Sequence, residues 1–259
     1  MKKIIKNSPF LLFIYRFLNE AVDLERSVRF LPNFGRYLVT MIKYRRLGRR
    51  PETGRFTLFP KIHDCTATTS SDPHYFYQGV WAFKRILSAQ PSRHYDVGSQ
   101  LDFVRYMAAV IPVVFIDIRP LELPLANLTT VKGSILESGF ASNSVSSLSC
   151  LHVIEHIGLG RYGDPLDPWG SEKAAAELSR ILAPGGRLYL TTPVGCPCIQ
   201  FNAHFIRSPQ QVMAMFPGLK LVEFSVVTDY GKFVERVDFS SVADSRYACG
   251  LFVLTKPVV

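Results

Sequence analysis

From Tyr95 onward the hydrophobic pattern repeats a two-part rhythm. Short runs with closely spaced apolar residues ("VVFIDI", "SVSSLSCLHV", "RLYLTTPV") alternate with stretches whose apolar positions recur every three or four residues ("QLDFVRYMAAV", "SEKAAAELSRIL"). Strands alternating with helices predict βαβ units and a mostly parallel sheet with helices on both faces. Ser171 is placed to cap the helix of "SEKAAAELSRIL", "APGG" to end it, and "SPQQVMAMF" predicts another helix behind a Ser-Pro start. The last two runs, "KLVEFSVVTDY" and "ACGLFVLTKP", have no helix of crossover length between them. They read as a hairpin, so the sheet is expected to end in an antiparallel strand.

Upstream the rhythm is lost. Residues 56–90 read as a Ser/Thr-rich connector and an aromatic-rich helix, "HYFYQGVWAFKRIL"; before them, "PFLLFIYRFL" and "LVTMIKYRRLGRR" interleave bases with large apolar side chains. The expected organisation is a basic, aromatic-rich helical extension and lead-in over 1–90, and one α/β domain over 91–259. Charge sharpens the division. Residues 1–55 hold 13 Lys/Arg against four acids, which accounts for the whole net charge of +9, and the rest of the chain balances 17 bases with 17 acids. Such an extension suits either a helix lying on an anionic membrane surface or a layer packed on the main domain with its arginines solvated. The longest uncharged apolar run, Pro9 to Tyr15, is far short of the ~20 residues that span a bilayer, so no transmembrane segment is expected. Arg16 interrupts that run, which also fits a signal peptide poorly. Five cysteines without a C-x-x-C pair point to reduced thiols. The expected location is the cytoplasm, with peripheral contact at the inner face of the membrane as the role open to residues 1–55. The balanced core lacks the concentrated positive groove that nucleic acid favours.

In an open α/β sheet, ligands sit beyond the C-terminal ends of the strands, at the first strand-to-helix turn. That turn is "DVGSQLDF", Asp96 to Phe103, and Asp117 closes the next strand, 21 residues after Asp96. A carboxylate at that place can accept both ribose hydroxyls of a nucleoside, which makes adenosine-containing cofactors the leading class. "YDVGS", "FIDIRP", "GSILE", "SLSCLHVIEHI" and "AELSRILAPGGRLYLTTP", in that order, resemble the motifs of class I S-adenosylmethionine-dependent methyltransferases over about residues 93–259. The resemblance implies a Rossmann-like fold with a seven-stranded sheet whose last strand is antiparallel. It implies S-adenosyl-L-methionine held by Asp96, Gly98, Ser99, Asp117, Ile118, Ser134, Ile135 and His152. "HYFYQGVWAFKRIL", "IGLGRYGDPLDPWG" and "FNAHFIRSP" further resemble an uncharacterised bacterial methyltransferase-like group, some members of which are associated with surface-polysaccharide biosynthesis. One feature departs from the superfamily: Gln100 and Asp102 stand where its glycine-rich turn has its later glycines. There they would crowd the ligand, or the loop takes a different path.

His152, Glu155 and His156 also spell H-x-x-E-H, the inverted zinc-protease signature. The strand before them and Gly158 and Gly160 after them leave too little helix to hold two histidines on one face, so no metal site is expected. In the methyltransferase register the segment falls at the rim of the cleft. Glu155 and His156 are then candidates to position or deprotonate a hydroxyl, with His204 as an alternative base. The Gly/Pro-rich loop that follows offers Arg161, Tyr162, Asp164 and Asp167 for substrate binding, and "FNAHFIRSP" adds Asn202 and Arg207. Each has a structural alternative, from helix capping to solvated loop. The expected function is methyl transfer to a small-molecule or glycan-type acceptor, through a hydroxyl. The alternative is a methyltransferase-fold binding or scaffold protein with a degenerate cofactor loop, docked by its basic N-terminus.

Overall fold

A computed structural model describes residues 9–47, 56–119 and 121–258. Lys2, Lys3, Lys6, Arg49, Arg50 and Arg55 of the basic extension lie outside the described residues. The chain divides into two compact units, Met1–Ser70 and Ser71–Val259. In the first, helix α1 (Pro9–Ala21) is followed by helix α2 (Leu24–Arg46). Asp23 caps α2 by accepting from Arg26 N at 3.0 Å, and the Arg36 guanidinium ties α2 to the following segment through Ile62 O at 3.0 Å. Phe10, Phe13, Phe17, Val28 and Leu31 stay exposed on these helices. Among the described residues, no helix is long and apolar enough to cross a membrane.

The second unit is built on one eight-stranded sheet in the order β3-β2-β1-β4-β5-β10-β8-β9. Its strands are β1 (His94–Val97), β2 (Val113–Asp117), β3 (Leu128–Lys132), β4 (Val145–Leu151), β5 (Leu182–Val194), β8 (Lys220–Val227), β9 (Phe233–Val234) and β10 (Ala248–Thr255). The pairs from β3 through β5 are parallel, and β10 runs antiparallel to both β5 and β8. The antiparallel end expected from the sequence is thus present, with the last strand inserted between β5 and β8. The two-residue β9 adds an eighth, short edge strand beyond the seven expected. A separate ribbon pairs β6 (Cys198–Gln200) with β7 (His204–Ile206).

Strand alternation divides the core into two layers. Val113 and Phe115 face one side, where Trp81 and Ile86 of α3 (Pro73–Ser88) and Phe103, Val104 and Met107 of α4 (Leu101–Ala108) cover them. Val114 and Ile116 face the other, with Ala174, Ala175, Leu178 and Ile181 of α5 (Gly170–Ile181) and Val212 of α6 (Pro209–Ala214). α3 starts where the sequence allows a helix to start. Asp72 accepts from His74 N at 2.8 Å, and Pro73 takes a first-turn position whose missing N–H costs nothing. α6 opens with a full capping box between Ser208 and Gln211. Ser171 is not the cap of α5, which begins one residue earlier; its hydroxyl instead donates to Ile154 O at 2.7 Å and binds α5 to the rim of the sheet.

Candidate functional site: a cleft at the strand ends

The strand order reverses at β1, where the chain leaves toward β2 and β3 on one side and returns as β4 on the other. Such a switch point leaves a crevice beyond the strand ends. Here it is a cleft enclosing about 120 Å³, lined by Gly98, Asp117, Ile118, Ser134, Ile135, His152, His156, Tyr162 and Asp164, among others.

Gly98 makes the turn out of β1 with φ +60°, and its N–H donates to Ile116 O at 2.9 Å. A Cβ there would meet both Val153 methyls at 3.4 Å and Asp117 Oδ2 at 3.9 Å, ordinary contacts, so the left-handed backbone and not a lack of space is what favours glycine. Asp117 accepts from Arg119 N through Oδ1 at 2.7 Å. Asp117 lines the cleft, and its Oδ2 lies beside the Gly98 turn. The "GSILE" segment forms the opposite wall and is braced by its own turn, with Leu136 N donating to Ser134 Oγ at 3.2 Å.

Asp96 and Ser99, expected at the cofactor, lie behind this turn instead. Asp96 sits two residues from His94 on the same strand face and is fully buried. Its Oδ1 accepts from Ser99 N at 3.0 Å and its Oδ2 from the Ser149 hydroxyl, while Ser99 Oγ accepts from Leu151 N at 3.1 Å. Both side chains staple β1 to β4. Burial pushes the Asp96 carboxyl up to about 6, against the pull of its serine hydrogen bonds. His94 continues the chain, joining Ser147 Oγ through Nδ1 and Ser149 Oγ through Nε2, each at 2.8 Å, and burial holds it down to about 3. Gln100 and Asp102 do not crowd the cleft. The helix α4 begins at Leu101 with Gln100 as its N-cap residue, and Asp102 points outward to pair with Arg105 at 3.0 Å. The loop therefore takes the different path.

The H-x-x-E-H segment is a strand end and a single 3-10 turn, Ile154–His156. His152 stands at φ +55°, a strained conformation for a residue with a Cβ. Its surroundings over-determine it. His152 N donates to Thr191 O at 2.9 Å and Thr191 Oγ1 at 3.0 Å, and that hydroxyl donates in turn to buried Gln78 of α3 at 2.5 Å. His152 Nδ1 meets Glu155 Oε1 at 2.7 Å, and the ring is flanked by His74 and Tyr75 at centroid distances of 5.6 and 5.3 Å. Burial would lower the His152 pKa, but interactions with Cys249 and Glu155 outweigh it and hold the group well above its ordinary value. Glu155 is wholly buried beneath the turn and does not line the cleft; burial opposes its ionisation, yet the contact with His152 keeps it below the usual range.

His156 does line the cleft. Its Nδ1 donates to Ala203 O at 2.5 Å, which leaves Nε2 as the unprotonated nitrogen of the neutral ring. Burial lowers its pKa, so the ring is neutral at pH 7. His204 stands one layer back, its ring 6.4 Å from that of His156 and 4.9 Å from Tyr247, and burial takes it down to about 4. Tyr162 lies at the mouth between two guanidiniums, with Arg119 at 4.5 Å and Arg161 at 5.1 Å from its ring centre. Arg161 also donates to Ala203 O at 3.3 Å.

The remaining loop candidates hold structure. Asp164 lines the cleft, but its oxygens accept from Gly158 N (2.8 Å), Gly160 N (3.3 Å) and Tyr162 N (3.2 Å). Asp167 pairs with Lys173 at 2.6 Å. Asn202 donates to Leu159 O at 3.5 Å, and Arg207 pairs with Glu172 at 3.1 Å over the Phe205 ring; neither lines the cleft. Sequence reasoning missed Val153, Arg119, and the His74, Tyr75 and Tyr247 rings. The Asp-Pro-His start of the aromatic helix was the available signal for His74 and Tyr75, because it places two aromatic groups in a first turn.

Comparison with known proteins agrees with this architecture. A family model described as Caenorhabditis protein of unknown function, DUF268, matches residues 137–252. No curated protein matches the chain. Among solved structures, the fold is similar to the N-methyltransferase NodS from Bradyrhizobium japonicum WM9 in complex with S-adenosyl-L-homocysteine, with TM-score 0.53 and 15% identity over 73% of this chain and 90% of that one. NodS described without that ligand gives 0.51 at 15% identity, over 73% and 100%. The [4+2]-cyclase SpnF gives 0.52 at 13% identity, over 70% and 80%. At these identities the likeness establishes the fold: the second unit has the Rossmann-like fold of class I methyltransferases. SpnF, described as a cyclase, illustrates that such a fold carries more than one chemistry.

Proposed function

We propose that the chain is an S-adenosylmethionine-dependent methyltransferase acting on a hydroxyl of a small-molecule or glycan-type acceptor. The observation that carries this reading is the pairing of Gly98 and Asp117. A left-handed glycine turn at the end of β1 stands beside a carboxylate at the end of β2 that lines the cleft, its Oδ1 held by Arg119 N and its Oδ2 next to the turn. These residues fit a nucleoside: Asp117 Oδ2 accepts from ribose hydroxyls, and Ile118, Ser134 and Ile135 flank the space for an adenine. When bound, the cofactor supplies an electrophilic methyl on a sulfonium. The chain's own work is then positioning and proton transfer. His156, neutral and with Nε2 unprotonated, takes the proton of the acceptor hydroxyl, while the hydrogen bond to Ala203 O holds its ring and tautomer. Tyr162, with Arg119 and Arg161, screens the mouth from water. His204, with its lower pKa and its place behind His156, is the weaker base.

The altered glycine turn favours an inert scaffold only if Gln100 and Asp102 fill the cleft, and both side chains lie outside it. Exposed Phe10, Phe13 and Phe17, with Arg16 among them, and the further Lys/Arg of the first unit support its peripheral contact with anionic lipid. Thermal unfolding with added ligand tests the cofactor class. S-adenosylhomocysteine at 100 times its Kd raises stability by ~2.7 kcal/mol, and NAD gives no shift. A shift with NAD alone overturns the reading.

A further inference from the structure

Behind the cleft wall, three side chains from distant parts of the chain converge. His74 comes from the first turn of α3, His152 from the end of β4 and Cys249 from the start of β10. A ring nitrogen of each histidine and Cys249 Sγ all lie within 4.8 Å of one another, and all three residues are buried. We propose that His74, His152 and Cys249 form a site for a borderline-soft divalent cation, Zn²⁺ in the first place.

Four observations point the same way. Imidazole and thiolate together are a zinc donor set, and three protein ligands with an open fourth position are the pattern of a reactive rather than a closed structural site. His152 has its outer nitrogen already engaged, Nδ1 by Glu155 at 2.7 Å, while the buried Nε2 makes no hydrogen bond of ordinary geometry and would give up its proton when a cation binds. A carboxylate on the far nitrogen of a ligating histidine is the outer-shell arrangement that fixes ring and tautomer. The φ of +55° at His152 is held by Thr191 and Gln78, and with it the ring stands beside His74 and Cys249. The three donors lie close enough to converge on one ion: those around a tetrahedral Zn²⁺ stand roughly 3.3–3.7 Å apart, given metal–ligand bonds of about 2.0–2.3 Å, so from within 4.8 Å they would draw together by up to about 1.5 Å on binding.

The site is distinct from the one H-x-x-E-H suggests. His156 is turned to Ala203 O and takes no part. Because His152 also lines the cleft, the cation would stand in its wall, with the open position available to water or to an acceptor oxygen. The inference does not depend on methyl transfer.

Cobalt substitution of the full chain, stripped with chelator, is the test. The expected result is one Co²⁺ bound per chain with a thiolate-to-cobalt charge-transfer band and the intense visible bands of four-coordination; added Zn²⁺ abolishes both. Cys249→Ser removes the charge-transfer band, whereas Cys196→Ser and Cys198→Ser, at exposed thiols, leave it. Because Cys249 is in the core, two further variants serve as controls. His74→Gln, at a helix start, weakens Co²⁺ binding at least tenfold with an unchanged circular dichroism spectrum. Glu155→Gln weakens it 10–100-fold. No cobalt band at stoichiometric metal, or a band that survives Cys249→Ser, overturns the proposal.

Discussion

At the scale of single residues, the candidate site separates side chains that face the cleft from side chains that make the cleft possible. Asp96 and Asp117 are both acids near strand ends and lie on the same face of the sheet, but Asp96 pairs with Phe115, two positions further in, and is buried, whereas Asp117 is the last residue of β2 and lines the cleft. That difference is invisible in a motif, which records residue types and not how deep along its strand each one stands. The buried pair gives a pH prediction with a definite sign. Folded Asp96 keeps its proton up to about 6 while the unfolded carboxyl loses it near 3.8, so acidification through that window stabilises the fold. Folded His94 stays neutral down to about 3 while the unfolded ring charges below 6.5, so acidification destabilises it. At 1.36 kcal/mol per pKa unit the two effects are roughly 3 and roughly 5 kcal/mol, and the histidine wins. Asp96→Asn removes the opposing effect, so the loss of stability between pH 6.5 and 4 should steepen by up to roughly 3 kcal/mol in urea titrations. An unchanged slope would show that Asp96 is ionised in the fold. For His156, the lowered pKa predicts an imidazole NMR titration midpoint below 6.5, with the assigned signal absent in His156→Gln. A midpoint above 6.5 would remove it as a neutral base at pH 7.

At the scale of elements, the segment from His152 to Trp169 was partly legible. Gly158 and Gly160 correctly announced that no long helix follows the motif, and the structure has only a 3-10 turn. The loop itself was not legible as a rigid object. Asp164 gathers three backbone N–H groups, and Gly158 presses against the backbone of Asp167 and Gly170, so the loop is a built wall. A Cβ at Gly158 would fall 2.0 Å from Asp167 O, at a φ of +90°. Gly158→Ala should therefore cost well over 2 kcal/mol in denaturant unfolding. Gly139→Ala, with φ +74° but nothing within 4 Å, should cost only the 1–2 kcal/mol of left-handed backbone. Equal costs at the two positions would mean that the loop gives way. The aromatic helix α3 was legible as a helix from its capping residues and apolar spacing. Its role was not, because only the fold carries His74, Tyr75 and Gln78 to the end of β4.

At the scale of the whole molecule, the alternation of strand and helix read from residues 95–259 was enough to define the sheet, its parallel half and its antiparallel end. Long-range order was harder to read: nothing local in "ACGLFVLT" says that it inserts between β5 and β8. The two units also separate what can be tested. Every cleft residue lies within 71–259, so removing residues 1–70 should leave ligand binding within about twofold while abolishing sedimentation with anionic liposomes. Unchanged sedimentation would dismiss lipid contact by the first unit and leave the cleft untouched. The central claim is that the left-handed turn at Gly98 and the carboxylate of Asp117 hold an adenosyl cofactor, and calorimetric titration with S-adenosylhomocysteine tests it most directly. The account predicts one site per chain in the wild type and at least a tenfold weaker Kd in Asp117→Ala, a loss of about 1.4 kcal/mol or more. No heat of binding at millimolar ligand, or an affinity indifferent to Asp117, would contradict it.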